Sequence, residues 1–228
     1  MSARRPFENS ITRFDTRALS ASAIFGSLAA IMTILPLSFP FPLLPYLKFD
    51  LAELPVFMAF LLYGPIPGFV SSIVYWLVLN IVGSFVPIGP AMKFLAVIST
   101  LLGIWAGIKL YKRFTSTIKI GAFLTFILST SIITRVLVMT LVNYVVIWML
   151  FPTFLQYAAI SLATSLKITF STNFDVLILT LLITAIFNVI HVPLSTIPSY
   201  IVVTHILNRG VLITFEGPWI VRMLRRLP

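Results

Sequence analysis

The chain of 228 residues has no cysteine, two histidines and six acidic residues against sixteen lysines and arginines. The first absence excludes disulfides, thiolate nucleophiles and cysteine-based metal sites. Charge is scarce altogether, at 10% of residues, where a soluble domain carries roughly 25%. A chain this poor in charge lacks the polar surface to live in water. Two catalytic signatures are missing as well. No G-x-x-x-x-G-K-[ST] loop is present, so the chain cannot cradle ATP itself. No Gly-x-Ser nucleophile elbow occurs either. Nor does the chain divide into two similar halves of the kind seen in many secondary transporters.

What remains is apolar: 59% of residues are hydrophobic and the mean hydropathy is +1.07. The runs are long and lack the in-out alternation of barrel strands, which predicts an all-α integral membrane protein. Runs at 19–39, 51–63, 69–85, 94–111 and 120–151, and a last one ending at 207, are read as six transmembrane helices. A mixed segment, 152–175, separates the last two. The basic segment ahead of the first run resembles a signal peptide in charge alone. That run is long enough to span and no small-residue cleavage site follows it, so an uncleaved first span is expected.

The basic residues decide the orientation. Arg4, Arg5, Arg13 and Arg17 precede the first span, and Lys109, Lys112, Arg113 and Lys119 join the fourth to the fifth. Arg209, Arg222, Arg225 and Arg226 follow the last. Lys48, Lys93 and Lys167 fall on the opposite side, and Arg135 is left inside the bilayer. The positive-inside rule therefore predicts that both termini face the cytoplasm. It also accounts for most of the net charge of +10, so nucleic acid is not needed as a partner. The expected organisation is a cytoplasmic basic N-terminus (1–17), a six-helix membrane domain (18–207) and a cytoplasmic basic tail (208–228).

Depth along the helices brings polar residues together. Asn143 lies about 36 Å along a straight helix counted from Lys119, near its outer end. Counting back ~20 residues from Asn208 puts Asn188 and His191 in the outer part of the membrane. Thr184, Asn188, His191 and Ser195 share one helical face. Such groups point into a bundle or a wet cavity, or bond neighbouring helices. Leu47, Lys48 and Asp50 sit on the first outer loop, so three segments converge on a pocket filled from outside. Lys48 and Asp50 could close over a ligand or form an ion pair in a solvated loop. Glu53 reads as a first-turn carboxylate favoured by the helix dipole, and Arg135 as a ligand contact or the partner of an acid. In the first span Ala18, Ser22, Gly26 and Ala30 recur every turn, a stripe suited to close helix packing, within the bundle or against another subunit.

These stretches resemble one family. LKFDLAELP (47–55) followed by the corner LLYGPIPG (61–68) is similar to the first loop and second helix of the riboflavin-binding S components of energy-coupling factor (ECF) transporters. RVLVMTLVNYVVIWMLFP (135–152) resembles that family's fifth helix, with Asn143 on a ligand-contacting asparagine. IFNVIH (186–191) resembles the start of its sixth, with Asn188 on the second such asparagine. The chain departs from the pattern at His191, where the family usually carries lysine. The resemblance covers nearly the whole chain. It implies an S-component-like bundle in the plasma membrane, with riboflavin as transported ligand rather than cofactor. It further implies docking through the Ala18–Ala30 stripe on a transmembrane coupling subunit with two ATP-binding-cassette ATPases. Asn143, Asn188 and His191 would then meet the pyrimidine edge of the flavin, where carboxamides offer both donor and acceptor.

Two rivals stand beside this reading. One is an S component for another vitamin or for flavin nucleotide. The other is an intramembrane enzyme using His191 with His205, or Asp50 with Glu53. The histidines are about 21 Å apart along one helix, and the acids lack the second cluster a metal-dependent transferase needs.

Overall fold

The computed structural model describes residues 16–35, 37–114, 119–209 and 218–225. In chain order these form α1 (Thr16–Ile34), β1 (Ser38–Pro40), β2 (Lys48–Asp50), α2 (Glu53–Tyr63), α3 (Pro65–Val82) and α4 (Ile88–Phe114). There follow α5 (Ile120–Asn143), which continues as a π-helix (Tyr144–Leu150), then α6 (Thr153–Leu166), α7 (Asn173–Asn208) and α8 (Trp219–Arg225). Among the described residues four helices, α3, α4, α5 with its π-helical extension, and α7, are long and apolar enough to cross a membrane. α1 and α2 are shorter apolar helices.

The helices are amphipathic the other way round from those of a soluble protein. α5 buries Ser131, Arg135, Met139 and Asn143 and exposes Ile133, Leu137 and Leu141. α7 buries Thr180, Thr184, Asn188, His191, Ser195 and Ser199 and exposes Ile178, Leu182, Ile186 and Ile190. A lipid-facing surface has no hydrogen bonds to offer, so the polar groups turn toward each other. α4 packs closely on α5 at Gly103, whose carbonyl accepts from Thr130 Oγ1 over 2.7 Å.

Local signals explain where several elements begin and end. α7 starts at a capping box, in which Thr172 Oγ1 accepts from the Asp175 amide and Asp175 Oδ2 accepts from the Thr172 amide. The corner between α2 and α3 turns on Gly64, whose φ of 107° suits a residue without Cβ. Trp219 of α8 packs on Phe60 beside this corner. The main core gathers residues of α2, α4 and α5, among them Phe57, Phe60, Ile104, Ile108 and Ile127.

Three expectations need correction. The first helix ends at Ile34, not 39, because residues 38–40 pair as a strand with 48–50 in an antiparallel hairpin. An otherwise all-α bundle thus carries a small two-stranded element. Proline at 36, 40, 42 and 45 explains the early stop, since each removes an amide donor a helix would need. The mixed segment 152–175 contains a helix of its own, α6. The fifth helix changes hydrogen-bonding pattern after Asn143 rather than running on uniformly. The expected cytoplasmic N-terminus lies largely outside the described residues, while the expected tail is described at 208–209 and 218–225.

Candidate ligand-binding site

The hairpin, the start of α4, the end of α5 and the first half of α7 meet at one end of the bundle, the end predicted to face outward. Just inside it lies a buried charge cluster. Glu53 opens α2 as a first-turn carboxylate, yet it is 0% exposed, and Arg135 of α5 is 1% exposed. Arg135 Nη1 donates to Glu53 Oε2 over 2.9 Å and to Thr100 Oγ1 over 3.1 Å, while its Nη2 donates to Glu53 Oε1 over 3.3 Å. Lys93 Nζ lies 2.8 Å from Glu53 Oε1 and 3.6 Å from Asp50 Oδ2. Asp50 also accepts from Tyr75 Oη over 2.6 Å and from the Ala52 amide over 2.9 Å. Two acids face two bases, so the group is neutral as a whole. That balance allows it to sit in a low-dielectric interior.

Above the cluster opens a cavity of about 150 Å³. Its walls are apolar, with Phe85, Ile88, Met92, Met139, Val146, Ile147, Phe154 and Phe187 among them. Three polar atoms on lining residues are buried and find no hydrogen-bond partner among the described residues: Tyr46 Oη, Asn143 Oδ1 and Thr184 Oγ1. With Lys48, Lys93, Arg135 and Asn188 also in the lining, polar groups border a mainly apolar space, which suits a polar-edged guest. Burial pushes the Tyr46 phenol above its ordinary range, which keeps it a hydrogen-bond donor.

Of the residues singled out in the sequence, Leu47, Lys48, Asn143, Thr184 and Asn188 line this cavity. Asn143 Nδ2 donates to the Met139 carbonyl over 2.7 Å, which turns its oxygen away from its own helix. Asn188 Oδ1 accepts from Arg135 Nε over 2.9 Å and its Nδ2 donates to the Thr184 carbonyl over 2.8 Å. Asp50 and His191 are not in the lining. His191 is turned into the charge cluster, with Nδ1 3.2 Å from Arg135 Nη2 and Nε2 3.5 Å from Glu53 Oε1. A guanidinium can only donate, so Nδ1 is the accepting nitrogen of a neutral ring. The expected ion pair of Lys48 with Asp50 is replaced by Asp50 with Lys93, because in the hairpin Lys48 is exposed while Asp50 faces Tyr75. Glu53 is the acid that Arg135 pairs with. Lys93, Tyr46, Tyr75 and Thr100 were not legible as site residues. Only Lys93 carried a signal, a lone cation at the head of an apolar run.

The small-residue stripe divides. Ser22 and Gly26 are buried against α3: the Ser22 carbonyl accepts from Ser71 Oγ over 3.2 Å, and a Cβ on Gly26 would stand 2.8 Å from Val74 Cβ. Ala18 and Ala30 are half-buried. Ser22 and Gly26 are thus taken up by packing within the bundle. The small residues that α1 turns outward are Ser20, Ala23 and Ser27, beside Leu19, Ile24 and Ile31.

A membrane bundle with an apolar, polar-floored cavity under a loop at one end is the architecture of a substrate-capturing subunit. The fold is that of an ECF-transporter S component: the solved S component of a bacterial ECF transporter superposes with a TM-score of 0.60 over 86% of this chain and 98% of that one, at 23% identity. No family model matches the chain. Two curated relatives place it more narrowly. The riboflavin transporter FmnP of Bacillus subtilis is 34% identical over 149 residues, 64% of this chain and 74% of the relative. The riboflavin transporter RibU of Staphylococcus aureus is 30% identical over 155 residues, 68% and 76% of the two chains. The chain belongs to this family of riboflavin transporters, and is a multi-pass membrane protein.

Proposed function

We propose that the chain is the riboflavin-binding S component of an ECF-type vitamin transporter in the plasma membrane. It captures the vitamin at the outer end of the bundle and delivers it inward after docking on an ATP-driven coupling module. The carrying observation is a largely apolar cavity that the polar residues Tyr46, Asn143, Thr184 and Asn188 also line, the first three each with a buried atom that has no hydrogen-bond partner among the described residues. A flavin ring is a flat apolar body with a hydrogen-bonding pyrimidine edge, and such walls with such atoms complement it. The enclosed volume of about 150 Å³ is below the ~300 Å³ of the smaller ligand clefts. The bound vitamin therefore also fills the mouth, where Lys48 and Phe85 are exposed.

Transport rather than catalysis follows from the relatives and from the site. The Asp50 and Glu53 carboxylates, one of the two pairs open to the enzyme reading, are already taken up by Lys93, Arg135 and Tyr75. The surface that meets the coupling subunit and its two ATPases is assigned to the outward side of α1, at Ser20, Ala23 and Ser27.

The test is the visible absorption spectrum of detergent-purified protein, then titration of the flavin-free form with riboflavin, flavin nucleotide and a panel of other vitamins. Flavin bands or tight saturable quenching of intrinsic fluorescence by riboflavin supports the assignment. Preference for flavin nucleotide would move it to the phosphorylated ligand, and indifference to both would sink it.

A further inference from the structure

Arg135 is positioned to control a neighbour, not to touch a ligand. Its side chain reaches the cavity wall, yet every N–H of the guanidinium is engaged: Nε with Asn188, Nη1 with Glu53 and Thr100, Nη2 with Glu53 and His191. No donor is left over for a guest. Glu53 holds the planar group by its two η nitrogens at 2.9 and 3.3 Å, so the direction of Nε–H is set by an ion pair rather than by a free rotor.

That direction decides which way the Asn188 carboxamide faces. A carboxamide can turn over and exchange its oxygen for its nitrogen, but the nitrogen cannot face an N–H donor. Arg135 Nε therefore selects the orientation with Oδ1 toward the arginine, and the Thr184 carbonyl takes one hydrogen of Nδ2. One N–H of Asn188 remains. Asn143 is locked in the opposite sense, since the Met139 carbonyl takes its Nδ2 and leaves Oδ1 unpartnered. Both asparagines line the cavity.

We infer that Arg135, braced by Glu53, is a positioning residue that makes Asn188 a donor to the ligand while Asn143 serves as the acceptor. The pair then reads an edge carrying N–H beside C=O, as in an imide or uracil-like ring. The inference rests on the flavin assignment and adds the polarity of each contact.

The experiment uses the full-length protein in detergent, with riboflavin as the probe, for wild type, Asn188→Asp and Arg135→Lys. The carboxylate introduced by Asn188→Asp would keep an acceptor against Arg135 and gain an ion pair, but has no N–H to give. Asn188→Asp adds a third carboxylate to a neutral buried cluster, so its unfolding temperature without ligand should fall, and the riboflavin affinity of the folded protein should be lower by about tenfold or more. Arg135→Lys keeps the charge beside Glu53 but cannot hold the carboxamide through Nε. It should weaken binding similarly. In infrared difference spectra the bound flavin's carbonyl stretch should move in both variants toward that of a carbonyl without a donor, which a packing defect alone would not produce. Wild-type affinity and an unshifted carbonyl in Asn188→Asp would overturn the inference while leaving the flavin assignment intact. If Arg135→Lys does not fold, Asn188→Asp decides alone. Wild-type protein that binds no riboflavin would remove the flavin assignment, and the inference with it.

Discussion

Glu53 and Arg135 stand 82 residues apart in the chain, and their side chains meet at 2.9 Å where both are essentially without exposed surface. The contact joins the first turn of α2 to the middle of α5, directly beneath the cavity. Lys93 and Asp50 complete the charge balance from α4 and the hairpin. The site floor is therefore assembled from four separate elements, each of which contributes one charge.

Removing one partner of such a cluster leaves an uncompensated charge in a low-dielectric interior. Glu53→Ala should lower the stability of the ligand-free protein by about 3–5 kcal/mol, read as thermal unfolding in detergent. The double variant Glu53→Gln with Arg135→Met removes a charge of each sign and should recover part of that loss. An unchanged unfolding temperature in Glu53→Ala would show that the cluster does not stabilise the fold.

The three unpartnered polar atoms of the cavity behave differently from the cluster. Tyr46→Phe and Thr184→Val each delete a buried atom that has no hydrogen-bond partner among the described residues. The ligand-free protein should be as stable as wild type or slightly more so, because an unmet desolvation cost disappears. Riboflavin affinity should fall by up to about tenfold for each, the worth of roughly one hydrogen bond. Asn143→Ala should weaken binding more, since it also removes the acceptor proposed for the ring N–H. Loss of stability without loss of affinity would show these atoms to be structural.

On α1 the inward and outward small residues should part in their effects. Gly26→Leu drives a side chain into Val74 and should impair folding, so binding and uptake fall together. Ala23→Leu or Ser27→Leu changes an exposed position of α1. Riboflavin binding by the purified subunit should be kept while uptake by cells with the coupling module is lost. Uptake at the wild-type level in both would remove this face from the docking surface.

A smaller effect tests the helix that carries Thr184, Asn188 and His191. Thr172→Ala opens the capping box of α7 at an exposed position. It should cost about 1 kcal/mol in thermal stability and leave the affinity for riboflavin nearly unchanged. A large drop in affinity would mean that the start of α7 is coupled to the site.

Much of the site was legible because its residues break a local rule. Asn143, Thr184 and Asn188 are polar positions in runs that lipid would otherwise empty of them, and helical periodicity placed the α7 pair on one face. His191 obeyed the same periodicity yet belongs to the charge cluster, because a turn of helix carried it past the cavity toward Glu53. The α1 stripe divides for a related reason. Small residues line more than one side of that helix, and spacing alone cannot tell which side meets α3.

Composition and periodicity, which are sums and repeats over neighbouring residues, determined by themselves that this chain is a membrane-embedded helical bundle with polar groups gathered toward one end. The proline-rich connection, the capping box and the Gly64 corner are likewise local. Which acid meets Arg135, which way each carboxamide faces, and which edge of α1 is free were decided only by the tertiary structure. Those outcomes depend on the relative depth and rotation of helices far apart in sequence, and only the packing of the whole bundle sets them.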